Sequence, residues 1–331
     1  MKILHIVPEF EEGGVERYVI QLCHEQIKHG HEITLATHGG KLEKFLPSDV
    51  KILHLPVHRK NLFTILYCVK KLSEIKNWDI INAHSRVPAW VAWKVSNITK
   101  IKWIMTAHAN YSLNFGIKPL IHADGVICVS ESVKEHLQNY LPENTIIIQN
   151  GIKTPNFKYN DFPHDKMKFL IIGRLTRLKG LDTALKALGK LKNYEWTLDI
   201  VGDGSQREEL ESLVKELGID NRIQFYGFRD DTDKFMSEAS CLLFPSRSEG
   251  FGLVVAEALA VGLPVLASDL EPLREFSKGK LIPPDNVEEW KIAIENVILG
   301  KPASPLSLEN IISFEETARR VEKFYENIAL R

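Results

Sequence analysis

The sequence predicts an α/β chain of two tandem parallel-sheet domains, and three observations carry that expectation. Short β-rich runs alternate with longer helical patterns, the sequence form of βαβ units. The alternation breaks once, over residues 151–166, where two prolines, two asparagines and no hydrophobic periodicity suit a linker. A chain of 331 residues leaves each half enough length for its own core.

The first half reads as strands at Lys2–Val7, Glu32–Thr37, Lys51–Leu55, Ile80–Ala83, Lys102–Thr106, Gly125–Val129 and Thr145–Gln149. Between the first two, Val15, Val19, Leu22, Cys23 and Ile27 recur at the three-and-four spacing of a helix with one buried face. Ser130 is placed to cap a second helix, Ser130–Gln138. After the break, strands are expected at Lys168–Ile172, Thr197–Val201, Ile223–Tyr226, Cys241–Phe244 and Pro264–Ala267. Helices are expected at Leu181–Leu191, Gln206–Leu217, Gly252–Ala260 and Val287–Leu299, with Phe314–Ile328 closing the chain. The expected division is residues 1–152 and 153–313, each Rossmann-like, with the last helix (about 314–331) returning to the first domain. A cleft between two such domains is a common ligand site.

Composition narrows the function. Apolar residues are 44% and charged residues 26%, with net charge −1, so the whole molecule has no charge that would attract a polyanion. No basic module interleaved with exposed aromatics is present, which argues against a nucleic-acid partner. The charge is nevertheless uneven: residues 51–118 hold 11 Lys/Arg against only Glu74 and Asp79. Cys23, Cys68, Cys128 and Cys241 lie far apart within apolar runs, without metal spacing, and read as buried reduced thiols of a cytoplasmic protein. The opening MKILHIVP is a short strand stopped by Pro8, too short for a signal peptide, and no run reaches the length of a spanning helix.

Three loops carry the chemistry. In Ser248–Ala260, SEGFGLVVAEALA, Glu249 and Glu257 flank a Gly-rich helix entry. Gly250 and Gly252 permit close backbone approach, Phe251 lies between them, and the N–H groups of Gly252 and Leu253 would face an anion at the helix's positive end. Glu257, set among Val255, Ala256, Ala258 and Leu259, needs a polar partner. In Gly173–Gly180, GRLTRLKG, Arg174 and Lys179 leave a strand-to-helix loop, one a bidentate cation and the other a flexible one, a pair suited to a diphosphate. In Pro8–Arg17, PEFEEGGVER, Gly13 and Gly14 stand between first strand and first helix, although the dinucleotide pattern GxGxxG is missing. No acidic pair stands where a DxD-like metal site would need it; Asp230 and Asp231 are adjacent in one loop, so no metal or other cofactor is expected.

The ordered set GGVER, GRLTRLKG, VGDGSQREELE, FYGFRDD and FPSRSEGFGLVVAEALAVGLPVLAS resembles the retaining glycosyltransferases of family 4, densely over about Lys168–Glu275 and sparsely before it. The resemblance implies the GT-B architecture and transfer of a hexose-type sugar from a nucleoside diphosphate, most commonly uridine diphosphate, with retention. It implies that Arg174 and Lys179 bind the donor diphosphate, that Glu257 binds the ribose hydroxyls and that Glu249 lies by the hexose. The loop Gly227, Phe228 and Arg229 would hold the base through its backbone, and Gly14 would give a backbone N–H to phosphate. His108, in MTAHANYS at the end of a strand, looks like the family's histidine facing the transferring sugar.

The string HSRVPAW resembles a subset of these enzymes that build lipopolysaccharide or other surface glycans. It suggests His84, Ser85 and Arg86 as acceptor contacts, a structural loop being the alternative, and Gly13 is expected on the acceptor side as well. The segment His58–Lys76 mixes lysines with Leu62, Phe63, Ile65, Leu66, Val69, Leu72 and Ile75. It reads either as a helix lying on an anionic membrane surface beside a lipid-linked acceptor, or as a domain helix with apolar face inward and lysines outward. Two rivals to a retaining transferase stand: a GT-B nucleotide-sugar epimerase or inverting transferase, and a non-catalytic sugar-nucleotide or glycan-binding subunit.

Overall fold

A computed structural model describes residues 1–11, 13–75, 77–153, 167–275, 277–301, 306–308 and 312–330. The chain forms two compact units, Met1–Gly151 with Ile312–Arg331, and Ile152–Ile311. Most of the expected linker, from residue 154 to 166, and Lys76 lie outside the described residues.

The first unit is a seven-stranded sheet, β1 (Lys2–Ile6), β2 (Glu32–Thr37), β3 (Lys51–His54), β4 (Ile80–Ala83), β5 (Lys102–Ala107), β6 (Gly125–Cys128) and β7 (Thr145–Ile147). Its order is β3-β2-β1-β4-β5-β6-β7, every pair parallel. Crossovers run through α1 (Gly14–Lys28), α2 (Leu62–Ser73), α3 (Arg86–Thr99) and α4 (Glu131–Leu137). Parallel strands covered on both faces must be apolar throughout, and Ile3, Leu4, Ile80, Ile81, Ile104 and Val126 are all sealed from solvent. Ser130 caps α4, its Oγ accepting from the Val133 N–H at 3.2 Å.

The second unit places β8 (Met167–Ile172), β9 (Trp196–Val201), β10 (Ile223–Gly227), β11 (Cys241–Phe244) and β12 (Val265–Ala267) in the parallel order β10-β9-β8-β11-β12. Around it lie α5 (Leu181–Gly189), α6 (Arg207–Glu216), α7 (Thr232–Glu238), α8 (Leu253–Val261), α9 (Glu271–Arg274) and α10 (Val287–Ile298). Its core joins Phe169, Trp196, Leu198, Leu243, Trp290 and Ile294.

The final helix, α11 (Phe314–Ala329), belongs to the first unit. Phe314 meets the Tyr18 ring edge-on at 5.4 Å, and Asn82 on β4 donates Nδ2 to the Tyr325 hydroxyl at 2.6 Å. Gly125 and Gly151 admit this helix: a Cβ at Gly125 would lie 2.7 Å from Phe324, and one at Gly151 2.4 Å from the Ser313 carbonyl oxygen.

The α2 segment carries features of both patterns expected of it. Cys68, Val69 and Leu72 turn inward, but Leu62, Phe63, Leu66 and Tyr67 are exposed, Phe63 to 85%. Arg59, Lys60, Lys70 and Lys71 are exposed beside them. No described helix is long and apolar enough to cross a membrane.

Candidate functional site

Each sheet reverses its strand order once, between β1 and β4 in the first unit and between β8 and β11 in the second. At such a point two neighbouring loops leave in opposite directions and open a crevice at the strands' C-terminal ends. In the second unit those two loops are GRLTRLKG, after β8, and PSRSEGFG, after β11.

The loops are locked together. Lys179 Nζ lies 2.5 Å from Glu249 Oε1, and Ser246 Oγ donates to the same oxygen at 2.8 Å. Arg247 braces them from the far side: its guanidinium donates to Asp182, to Asp285 and to the Arg177 carbonyl, and its backbone N–H donates to the Leu178 carbonyl at 2.7 Å. Its two carboxylate partners hold the Arg247 proton more firmly than an isolated guanidinium would, and the guanidinium holds the Asp182 carboxyl below its usual range. Gly180 makes the close approach possible. It takes φ +62°, and a Cβ there would lie 2.1 Å from the Pro245 carbonyl oxygen.

Gly250 and Phe251 are buried at the entry, and Gly252 is the N-cap of α8 at φ 98°. The N–H groups of Leu253 and Val254 open α8 at its positive end, ahead of Val255 and Ala256, which already donate to the Gly252 carbonyl. Glu257 is half-buried one turn inside. Arg174 is exposed in the same loop as Lys179. Thus Lys179, Glu249 and the α8 entry lie on neighbouring loops, with Arg174 exposed near the start of one of them.

The loop after β10 begins at Gly227, with φ +66°, whose carbonyl accepts from the Gly202 N–H at 2.8 Å; Phe228 follows it, half-buried. Arg229 is exposed and holds Asp231 with both arms, at 2.8 and 2.7 Å. That pairing keeps the Asp231 carboxyl below its ordinary range. Among the described residues no group of three or more His, Cys, Asp or Glu is arranged to hold a metal ion.

In the first unit, Gly13 is the N-cap of α1 and Gly14 its first residue, directly beyond β1. Ser85 stands before α3, and Arg86, its first residue, lies over the Tyr111 ring at 5.6 Å. His108 follows β5 at the sheet's C-terminal edge and retains 9% exposure. His84 does not fit the contact with an acceptor expected of it. Its side chain is sealed, and both ring nitrogens are occupied, Nε2 by His5 Nδ1 and Nδ1 by His108 Nε2, each at 3.0 Å. Gly13, Ser85 and Arg86 remain at the edge without it.

Family models match nearly the whole chain: "Glycosyltransferase Family 4" over residues 12–155 and "Glycosyl transferases group 1" over residues 152–312. The chain belongs to the family 4 glycosyltransferases. It is 30% identical over 239 residues to the O-antigen biosynthesis glycosyltransferase WclY of Escherichia coli, covering 63% of this chain and 67% of that one. A glycosyltransferase structure from Rickettsia africae superposes with TM-score 0.83 at 25% identity over 99% of this chain and 98% of that one. Anabaena Alr3699/HepE in complex with UDP-glucose superposes with TM-score 0.78 at 21% identity, over 100% and 98% of the two chains. This glycosyltransferase is therefore of the GT-B type and related to enzymes of O-antigen and lipopolysaccharide synthesis.

Sequence reasoning missed four residues in this family 4 chain. Ser246 and Arg247 stood inside the FPSRSEG motif, and the alternation of a Ser and an Arg around the strand end was a usable signal. His5 and Gln26 carried none. One is a polar residue within an apolar strand and the other a helix residue 21 positions later, and only the packing of α1 beside β1 brings them together.

Proposed function

We propose that this glycosyltransferase moves a hexose from a uridine-diphosphate sugar to a glycan or lipid-linked acceptor of the cell surface, with retention and without a metal ion. One observation carries the reading: Lys179 and Glu249 meet at 2.5 Å on the two loops flanking the second unit's switch point, beside the N-terminus of α8. A cation, a carboxylate and a helix end gathered in this way would suit a diphosphate and its sugar.

In this reading Arg174, Lys179 and the N–H groups of Gly252 and Leu253 take the diphosphate. Glu257 takes the ribose, Glu249 a hexose hydroxyl, and the backbone at Gly227–Arg229 the base. Gly14 and His108 are the first unit's contribution, at phosphate and sugar. As the bond from the anomeric carbon to the diphosphate oxygen breaks, negative charge grows on the leaving group, so the cations and helix end bind the transition state better than the ground state. The acceptor oxygen bonds to the anomeric carbon on the face that the diphosphate leaves, and its proton passes to a departing phosphate oxygen. The same cations then need no metal to hold the product charge. The UDP-glucose complex of HepE supports uridine as the base, and the kinship to WclY supports a surface-glycan acceptor.

The exposed apolar residues of α2, ringed by four cations, support a peripheral seat on an anionic leaflet. A panel of nucleotide sugars tests the donor: UDP-hexoses should raise the thermal midpoint and be turned over in EDTA, because a ligand of the native state stabilises it. A response to guanosine- or adenosine-linked sugars alone would replace the base, and release of an epimerised sugar without acceptor would replace the reaction.

A further inference from the structure

Three histidines cross the switch point of the first unit as a diagonal staircase. His5 lies on β1 opposite Asn82 of β4, and His84 stands two residues beyond Asn82. Asn82 is in turn opposite Ile104 of β5, so His84 is level with Thr106 and His108 stands two residues beyond that. Each step is one strand across and one pleat along, so all three side chains leave the same face. The contacts are Gln26 Oε1 to His5 Nε2 at 2.9 Å, His5 Nδ1 to His84 Nε2 at 3.0 Å, and His84 Nδ1 to His108 Nε2 at 3.0 Å. Gln26, His5 and His84 are wholly enclosed, and only His108, with the Tyr18 ring edge-on at 4.9 Å, reaches the surface.

We propose that this buried chain locks His108 as the Nε2–H tautomer, so that its Nδ1 presents a lone pair to a hydroxyl of the bound sugar. An N···N hydrogen bond has one N–H and one lone pair, so in a row of neutral imidazoles the first orientation dictates all the others. With the Gln26 amide turned so that its carbonyl oxygen faces His5 and its nitrogen lies buried on the other side, that oxygen can only accept, which puts the proton of His5 on Nε2. His5 Nδ1 is then an acceptor, His84 must donate to it from Nε2, and His108 must donate from Nε2 to His84 Nδ1. Burial supports neutrality, lowering His5 to about 4 and His108 to about 3, and His84 well below its ordinary value. A charged ring would carry two N–H groups and set one against another donor. His5, His84 and Gln26 are thus positioning residues that act through His108. The inference deepens the proposed reaction and rests on His108 serving the sugar.

Long-range 1H–15N spectra of the whole protein labelled in its histidine rings read the tautomers without any turnover. The expected result is a proton on Nε2 and a bare Nδ1 at His108, assigned by the signals that vanish in His108→Gln. A proton on Nδ1, or a mixture of the two forms, would overturn the proposal. Gln26→Met removes the terminal acceptor and should mix the tautomers of His108, lowering kcat about ten-fold or more with donor KM nearly unchanged. A single tautomer and full rate in Gln26→Met would reduce the chain to packing. If the wild-type tautomer is as stated but His108→Ala transfers sugar normally, the chain stands and the assignment of His108 to the sugar fails.

Discussion

Lys179 and Glu249 stand 70 residues apart in sequence and 2.5 Å apart in space, each on the loop leaving one of two adjacent parallel strands. Their side chains are 27% and 12% exposed, so this ion pair is mostly withdrawn from water and Glu249 holds Lys179 in place. In the proposed reaction a diphosphate would compete with Glu249 for the same ammonium, and donor binding would then free the carboxylate for the sugar. Lys179→Ala should therefore weaken donor binding and lower kcat/KM by about 100-fold or more. Calorimetric titration with the donor and steady-state kinetics check it; normal turnover would remove Lys179 from the site.

Gly180 is the point where the two loops nearly touch. Alanine there must adopt φ +62° and place a methyl 2.1 Å from the Pro245 carbonyl oxygen. Relief requires the β8 and β11 loops to separate, so Gly180→Ala should cost at least about 2 kcal/mol of stability. It should also depress donor affinity, since Lys179 and Glu249 ride on those loops. Denaturant titration and donor binding measure the two effects, and an unchanged midpoint would show that the loops yield freely.

The buried histidines make stability depend on pH with a definite sign. His5 and His108 bind protons near 4 and 3 in the folded state, against 6.5 when unfolded. Between those values the unfolded chain takes up more protons, so stability is complete above about 6.5 and falls as the solution is acidified. Each such histidine contributes a slope of up to about 1.4 kcal/mol per pH unit. Urea midpoints at pH 7, 6 and 5 should fall steadily, and a flat profile would mean the histidines are not sealed as described.

Exposed aromatic and aliphatic residues beside lysines on α2 predict binding to anionic vesicles. Phe63→Ser with Leu66→Ser should abolish flotation with phosphatidylglycerol vesicles while leaving turnover of a soluble acceptor unchanged. High salt should weaken the wild-type interaction, as screening removes the lysine contribution. Equal flotation of the double variant would assign this face to something other than lipid.

Strand and helix positions were legible because periodicity is a local property: all twelve strands of the two main sheets lie where alternating runs had placed them, within about two residues. The α7 helix and α3 were not foreseen, since Thr232–Glu238 is short and Arg86–Thr99 carries Pro88 and scattered apolar residues without a clean stripe. The α2 helix shows the limit from the other side. Its apolar count was visible, but whether Leu62 and Phe63 faced sheet or solvent was decided by which neighbours the sheet left beside them.

The amino-acid sequence by itself determined the alternating elements, the glycine-rich turns and the residues that could meet a diphosphate, because each depends on neighbours within a few positions along the chain. Only the tertiary structure decided which strands became adjacent, and with that the pairing of Lys179 with Glu249, the bracing by Arg247 and the row from Gln26 to His108. Hydrogen-bond partners across a parallel sheet are chosen by strand order and pleat register, and neither is written in the separation of residues along the chain.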